Sequence, residues 1–146
     1  MSKVRNFIVA TGVTTCLFAA PASAQMSSVY ATFTPSQEQI DATFSATFND
    51  CFALAGINSS GKNECMRQEQ FLASARVEES YRAVLPRLPA EQARVLRIEQ
   101  QSWRRRYQRI CISKYEYKNT FDQIGLIRRC ILQEAARRTV WLTTRS

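Results

Sequence analysis

The chain has 146 residues, with 20 Lys and Arg against 12 Asp and Glu, a net charge of +8 and no histidine. This length provides for one domain once an export signal is removed. Without histidine there is no Ser-His or Cys-His nucleophile pair and no imidazole ligand, so we expect neither an enzyme nor a bound metal or cofactor.

The N-terminus has the pattern of a secretory signal peptide. Lys3 and Arg5 precede an apolar run from Phe7 to Ala20, and Ala22-Ser23-Ala24 offers small residues for cleavage. The run is too short and too interrupted to span a membrane, and no later stretch is apolar enough. We therefore predict a periplasmic or secreted protein, cleaved after Ala24.

Three segments follow from this pattern: a cleaved signal peptide over 1–24, a flexible segment over 25–33 and a helical domain over 34–146. Cys16 is a less favoured lipid-attachment candidate, because Thr15 stands before it where a small residue is usual.

The mature chain carries 18 basic and 12 acidic residues, a net charge of +6. Its two parts differ in sign, with −4 over 25–81 and +10 over 82–146. This asymmetry suggests separate faces for separate partners.

Apolar residues recur at helical spacing along the whole mature chain. Thr34-Pro35 predicts the start of a first helix that ends near Gly56, and Asn58 to Gly61 is predicted as a turn. A second helix should continue until Pro86 and Pro89 interrupt it. A third should run from about Ala90 to Lys118, and a fourth from about Leu126. These elements predict an all-α fold, a small antiparallel bundle of three to four helices.

The third helix carries an apolar stripe formed by Leu96, Trp103, Tyr107, Ile110 and Cys111. Trp103 and Tyr107 are expected to pack in the core on this basis, and a binding role is the less favoured interpretation.

Four cysteines remain after signal cleavage: Cys51, Cys65, Cys111 and Cys130. The first pair is centred on residue 58 and the second on the boundary between residues 120 and 121, so each pair straddles a predicted turn. Residues equidistant from the turn of a helical hairpin lie side by side, which favours the disulfides Cys51–Cys65 and Cys111–Cys130. Two other pairings remain open, since a bundle brings all helices close together.

A set of residues at characteristic spacing carries a resemblance to a known family. The set comprises Cys65, Tyr81, Leu85, Leu88, Leu96, Gln100, Trp103, Cys111, Cys130, Arg138 and Leu142. In these residues the chain resembles the LprI-type lysozyme inhibitor domain family of exported bacterial proteins, over about Cys51 to Leu142. The resemblance implies a small, secreted or periplasmic, disulfide-bearing helical protein that inhibits lysozyme by protein–protein contact.

The chain departs from the family pattern at three positions. Members often have Arg-Asp where this chain has Tyr107 and Gln108, and a frequently acidic position corresponds to Ser74. A charged network or a partner contact at those positions is therefore in doubt.

Partner contacts are predicted on both of the oppositely charged parts. A cationic lysozyme would require a local acidic patch, for which the candidates are Glu64, Glu69, Glu78 and Glu79, and the turn from Asn58 to Lys62 is the candidate for entering a cleft.

Arginines on the third helix support an alternative partner. Arg104, Arg105, Arg106 and Arg109 are candidates for binding anionic glycolipid or peptidoglycan in the cell envelope. A structural or immunity-type role beside another exported protein is a third hypothesis. Nucleic acid is not expected as a partner of an exported protein.

Overall fold

The computed structural model describes residues 34–116 and 122–145, so the predicted signal peptide and the 25–33 segment lie outside the described residues. Five α-helices occupy the described part: α1 Gln37–Asp41, α2 Ala46–Ala55, α3 Ser59–Val84, α4 Ala90–Tyr115 and α5 Gln123–Thr143. A 3₁₀ turn, Leu85–Arg87, joins α3 to α4. No β-strand occurs in these ranges, and the all-α class of a small disulfide-bonded bundle is confirmed.

The first helix begins two residues later than predicted, at a different cap. The Ser36 hydroxyl accepts a hydrogen bond from the Gln39 backbone N–H at 3.2 Å, and the Gln39 side chain accepts one from the Ser36 N–H at 2.9 Å. This reciprocal pair is a capping box, which satisfies two backbone donors that the first helical turn leaves without partners. The prediction that Thr34 caps the helix is therefore wrong.

The predicted single first helix is divided into two. Ser45 has an extended backbone and its hydroxyl accepts from the Phe48 N–H at 3.0 Å, so it caps a new helix, α2. Serine competes for backbone hydrogen bonds inside a helix but satisfies the first turn when it stands at the cap, which explains why the chain breaks here.

The turn between α2 and α3 is shorter than predicted. Asn58 caps α3 by accepting from the Gly61 N–H at 3.1 Å, so the residues that follow it are helical. Gly56, which ends α2, has a φ of +52°. A side chain would strain this conformation, whereas glycine adopts it readily. The turn therefore consists of Gly56, Ile57 and Asn58.

The predicted interruption at the prolines is present. The backbone of α3 ends at Val84, Pro86 lies inside the 3₁₀ turn, and Pro89 is the residue before α4. Proline lacks a backbone N–H and clashes with the preceding turn, so a continuous helix is excluded here. The chain reverses direction and α4 returns along the bundle.

Helix α5 lies at the centre of the described bundle, packed along α3 and also contacting α4 and α1. The first turns of α3 and α5 line one small cleft through Ser59, Lys62, Gly125 and Leu126, so these two helices run parallel. The intervening helix, α4, is antiparallel to both. No helix in the described ranges is long and apolar enough to cross a membrane.

Both predicted disulfides are present. The Cα atoms of Cys51 and Cys65 are 5.8 Å apart, and those of Cys111 and Cys130 are 5.6 Å apart. The first bond joins α2 to α3, and the second joins α4 to α5. Each lies across a hairpin, as the symmetry about the two turns predicts.

The core is formed mainly by α3, α4 and α5, whereas α2 contributes no buried residue. Leu96 and Cys111 of the predicted α4 stripe are fully buried, while Trp103 and Tyr107 are half-buried. Ile110 is 58% exposed, so the apolar stripe predicted from helical spacing is wider than the buried face of α4. Helix α4 packs against α5 on one side only, and this leaves a buried stripe too narrow to include Ile110.

Candidate functional site

A buried carboxylate holds the start of α2 against α3. Glu69 is 1% exposed and accepts hydrogen bonds from the Ser45 backbone N–H at 3.0 Å and the Ser45 hydroxyl at 2.6 Å. Arg76, which lies two turns further along α3, forms an ion pair with the same carboxylate. Burial of a carboxylate is costly unless its oxygens are paired, and here both oxygens have partners. The prediction that Glu69 contacts a protein partner is wrong, because this residue is part of the scaffold.

A second buried polar group lies between α4 and α5. Gln100 is fully buried, and its side-chain oxygen accepts from Arg138 Nε at 2.8 Å. The Arg138 guanidinium also lies 5.7 Å from the ring centroid of Trp103 and 4.0 Å from that of Trp141. Arg145 lies over Trp141 at 3.8 Å. The Arg138–Trp103 contact joins the C-terminal half of α5 to the middle of α4, whereas the two contacts to Trp141 lie within the C-terminal region.

Two of the three positions that depart from the family pattern, Tyr107 and Gln108, lie beside Trp103 in the same region. The rings of Trp103 and Tyr107 stack with centroids 4.3 Å apart and planes 7° apart, and Gln108 Nε2 donates to the Tyr107 hydroxyl at 3.0 Å. An aromatic stack and a neutral hydrogen bond therefore occupy the place where members often have a charged pair. Ser74 is exposed on α3.

The residues that carry the resemblance are largely internal. Leu96, Gln100 and Leu142 are fully buried, and Trp103 and Arg138 contact each other between α4 and α5. Such residues determine how the helices pack. The family pattern in this chain therefore describes mainly the scaffold.

Glu64, one of the remaining predicted acidic contacts, is exposed near the start of α3. It accepts from Arg67 Nε at 2.7 Å and from Gln68 Nε2 at 3.0 Å. These hydrogen bonds, first that of Arg67 and then that of Gln68, lower the pKa of Glu64 to about 2. The carboxylate therefore remains negatively charged throughout the physiological pH range.

Glu78 and Glu79 are neighbours with different surroundings. Glu78 accepts a bidentate pair of hydrogen bonds from the Arg104 guanidinium of α4, in which Nε is 2.8 Å from the carboxylate. The Arg104 guanidinium also lies 5.4 Å from the ring centroid of Tyr81. Glu79 is exposed and has no ion-pair partner among the described residues. The structure does not bring the four predicted carboxylates together into one patch.

The predicted anion-binding arginines also separate into two kinds. Arg104 is neutralised by Glu78, as described above. Arg105, Arg106 and Arg109 are exposed on α4, and none has a carboxylate partner among the described residues. Two of them donate to backbone carbonyls of α4: Arg106 Nε to Ser102 at 3.4 Å and Arg109 Nε to Arg105 at 2.8 Å. We call Arg105, Arg106, Arg109 and the similarly exposed Arg97 the arginine face.

The end of the α2–α3 hairpin exposes two large apolar side chains. Leu54 is 88% exposed at the end of α2, and Ile57 is 101% exposed in the turn. We call residues 54–58 the stapled tip, because the Cys51–Cys65 disulfide closes the hairpin directly behind them. The predicted contact turn lies within this hairpin, but its most exposed apolar residues precede Asn58.

Sequence reasoning missed Leu54 and Ile57 as surface residues. A signal was present, since two large apolar residues flank Gly56 at a position where polar turn residues are usual. No comparable signal marks Glu69, because its partner Ser45 is 24 residues away in the chain. Its burial depends on how α2 folds back onto α3.

Comparison with known proteins supports the family resemblance. The family model described as Lysozyme inhibitor LprI matches residues 55–142 of this chain. Comparison with curated proteins and with solved structures gives no match. The family match covers more than half of the chain, from the last residue of α2 to the penultimate residue of α5. This chain therefore belongs to the LprI lysozyme inhibitor family.

Proposed function

We propose that this protein is exported and inhibits a lysozyme by protein–protein contact, with the stapled tip as the contacting element. Family membership supports the activity. The two disulfides support an oxidising compartment, the periplasm or the cell exterior, which the predicted signal peptide would provide after cleavage at Ala24. The protein acts as a binder and performs no catalytic step.

The observation that carries the proposal is the exposure of Leu54 and Ile57 on a rigid projection. The tip is constrained by the Cys51–Cys65 bond and by the Asn58 cap. Burying one aliphatic side chain of this size contributes about 2 kcal/mol. Because the tip is already ordered, little of this gain is lost to fixing the backbone on binding.

The charges around the tip favour a cationic partner even though the whole chain is basic. Asp50 is exposed one helical turn before Leu54 and has no ion-pair partner among the described residues, whereas Glu64 near the start of α3 is paired with Arg67. Salt screens charges separated by more than about 8 Å at physiological ionic strength, so nearby groups dominate the encounter. A cationic lysozyme that approaches the tip is therefore close to the unpaired Asp50 carboxylate and farther from the arginine face on α4.

The test is inhibition of lysozyme by the oxidised protein and by a Leu54→Ser/Ile57→Ser double variant. The wild type should slow cell-wall lysis at micromolar concentration, and the variant should lose at least about tenfold in potency, since two apolar anchors are removed. Ile98→Ser is the control. Ile98 is 54% exposed and lies in the first third of α4. Helix α4 begins beyond the end of α3 that is opposite the tip, and α3 is about 39 Å long.

Three outcomes are distinguishable. Selective loss in the tip variant supports the proposal. Inhibition that is unchanged in both variants would keep the activity but remove the tip from it. Absence of inhibition by the wild type against lysozymes of several classes would contradict the proposed function itself.

A second candidate function is binding to an anionic envelope surface through α4. The observation that favours it is a row of exposed residues along one side of α4. The row is formed by Ile98, Arg105, Arg109 and Ile112, which recur at helical spacing. Apolar and cationic side chains on one face of a helix are typical of segments that lie on anionic lipid.

The arginine face can be tested with vesicles that contain anionic lipid. Binding should weaken as salt is raised and should fall strongly in an Arg105→Gln/Arg109→Gln variant, because each arginine near such a surface contributes about 1 kcal/mol. The control, Arg82→Gln/Arg87→Gln, removes the same charge from exposed sites outside α4. Equal loss in both variants would show a net-charge effect and exclude a specific surface.

A further inference from the structure

A cleft lined by aromatic residues lies between the α1–α2 segment and the central helices. Its volume is about 470 Å³, and Phe44, Phe48 and Phe52 form one wall while Met66 and Leu132 form the other. The three rings follow one another with centroids 5.3 and 5.4 Å apart. Polar side chains, among them Asn49 and Gln133, also line it. A cleft of this volume that combines apolar and polar side chains is typical of a small-molecule binding site. We call it the phenylalanine cleft.

The α2 wall of the cleft is attached to α3 at two points. The Cys51–Cys65 disulfide fixes the C-terminal half of α2 to α3, and the Glu69 hydrogen bonds to Ser45 fix its beginning. Between these two attachments α2 contributes no buried residue, and its phenylalanines are only half-buried. The apolar wall is therefore positioned by the attachments, and its surface remains available to another apolar molecule.

Cationic groups are concentrated at the Phe52 end of the cleft. Arg129 lines the phenylalanine cleft and an adjoining smaller cleft of about 100 Å³, and Lys62 lines the smaller one with its ammonium 5.1 Å from the Phe52 ring centroid. Asp122 also lines the smaller cleft, leaving two cations against one carboxylate. Asp41 lies at the opposite end, beside Phe44. An anionic head group is thus favoured near Phe52 and disfavoured near Phe44.

A buried acceptor in the smaller cleft indicates what else the head group would carry. Asn63 lines this cleft, and its side-chain oxygen is buried without a hydrogen-bond donor from any described residue. An unsatisfied buried acceptor is unfavourable, and a ligand N–H or O–H at this position would satisfy it.

We propose that the phenylalanine cleft binds a single-chain anionic amphiphile. The acyl chain lies along the three phenylalanine rings, the carboxylate faces Lys62 and Arg129, and an N–H or O–H of the head group donates to Asn63. This site is separate from the stapled tip and does not depend on lysozyme inhibition.

The test uses N-dodecanoylglycine, whose head group combines a carboxylate with an amide N–H, measured by calorimetry below its micellar concentration. One molecule should bind per oxidised protein chain. The double variant Lys62→Gln/Arg129→Gln should bind at least about tenfold more weakly, because two charge-assisted contacts are removed. The control, Arg82→Gln/Arg87→Gln, lowers the net charge equally at exposed residues that line neither cleft, and it should bind as the wild type does.

Two further ligands test the proposal on the wild-type protein alone. N-Dodecanoylsarcosine differs by an N-methyl group that removes the donor, and it should bind about fivefold more weakly, in line with the loss of one hydrogen bond to a buried acceptor. Dodecyltrimethylammonium reverses the head-group charge and should not bind measurably. Equal affinities for the glycine and sarcosine compounds would overturn the Asn63 contact. Equal binding of the cationic amphiphile, equal loss in the control variant or no binding of N-dodecanoylglycine would overturn the site.

Discussion

The two disulfides close hairpins of similar length but hold very different structures. The α4–α5 bond joins Cys111, which is fully buried, to Cys130 of a helix with eight buried residues. The α2–α3 bond joins buried Cys65 to half-buried Cys51 of a helix with none. The first bond reinforces a packed core. The second attaches an exposed helix, α2, to that core. The α4–α5 hairpin therefore belongs to the scaffold, whereas the α2–α3 hairpin carries the exposed surfaces proposed for binding.

The proposed binding elements belong to the weakly packed region. The stapled tip and the phenylalanine wall are both on the α2 side, where no α2 residue is fully buried and a disulfide and the Glu69 hydrogen bonds attach the helix to α3. Binding sites are often found in segments with few buried contacts, and here the disulfide and the Asn58 cap keep the tip ordered. The predictions below test whether the two regions are energetically distinct.

The largest effect should come from the disulfides themselves. Replacing Cys111 and Cys130 by alanine should lower the free energy of unfolding by about 4 kcal/mol, since loop closure is worth about 3 kcal/mol and core contacts are lost as well. Replacing Cys51 and Cys65 should cost less than half as much, because α2 can detach while the core remains folded. Urea unfolding measures both losses, and amide exchange in α2 should rise only in the second variant. Equal losses would remove the distinction between the two hairpins.

Apolar truncation should show the same contrast with a smaller effect. Leu96→Ala in the fully buried core should cost about 3 kcal/mol, whereas Phe48→Ala on the half-buried cleft wall should cost about 1 kcal/mol. Thermal or urea unfolding of the two variants provides the comparison. A larger loss from Phe48→Ala would place the α2 wall within the cooperative core.

The buried carboxylate should contribute less than the core but more than any surface charge. Glu69→Gln weakens the hydrogen bonds to Ser45 and removes the charge that pairs with Arg76, so a loss of about 2 kcal/mol is expected. Glu79→Gln, on the exposed side of the same helix, should change stability by no more than about 0.5 kcal/mol. If the two variants unfold alike, Glu69 does not anchor α2.

The smallest effect concerns the exposed pair at the start of α3. Glu64 has a pKa lowered to about 2, against an ordinary value of 4.5, by the Arg67 and then the Gln68 hydrogen bonds. A lowered folded-state pKa stabilises the fold above the unfolded-state value, and this contribution is lost as pH falls from about 4.5 towards 2. In Arg67→Gln the Glu64 pKa, followed by carboxyl NMR shifts, should rise towards 4.5. An unchanged titration midpoint would show that Arg67 is not its cause.

Local sequence signals predicted the parts of the fold that depend on nearby residues. Pro86 and Pro89 ended α3 as their chemistry requires, and the symmetry of the cysteines about two turns identified both disulfides. The break before α2 was missed because it depends on Ser45, which is stabilised by a glutamate 24 residues away.

The candidate sites were less predictable than the fold. Charge sign alone could not distinguish buried Glu69 from exposed Glu79, nor neutralised Arg104 from the unpaired arginine face. These distinctions depend on which side of a helix faces its neighbour and on which opposite charge lies across the interface. The phenylalanine cleft likewise depends on the attachment of Ser45 to Glu69, which are 24 residues apart in the chain.

The most direct test of the stapled tip as the binding element is amide hydrogen exchange of the oxidised protein, alone and with an equimolar lysozyme that it inhibits. Protection in the complex should be concentrated at residues 54–58 and in the first turn of α3, with α4 unchanged. Protection confined to α4, or no protection at the tip in a complex that demonstrably forms, would contradict the account.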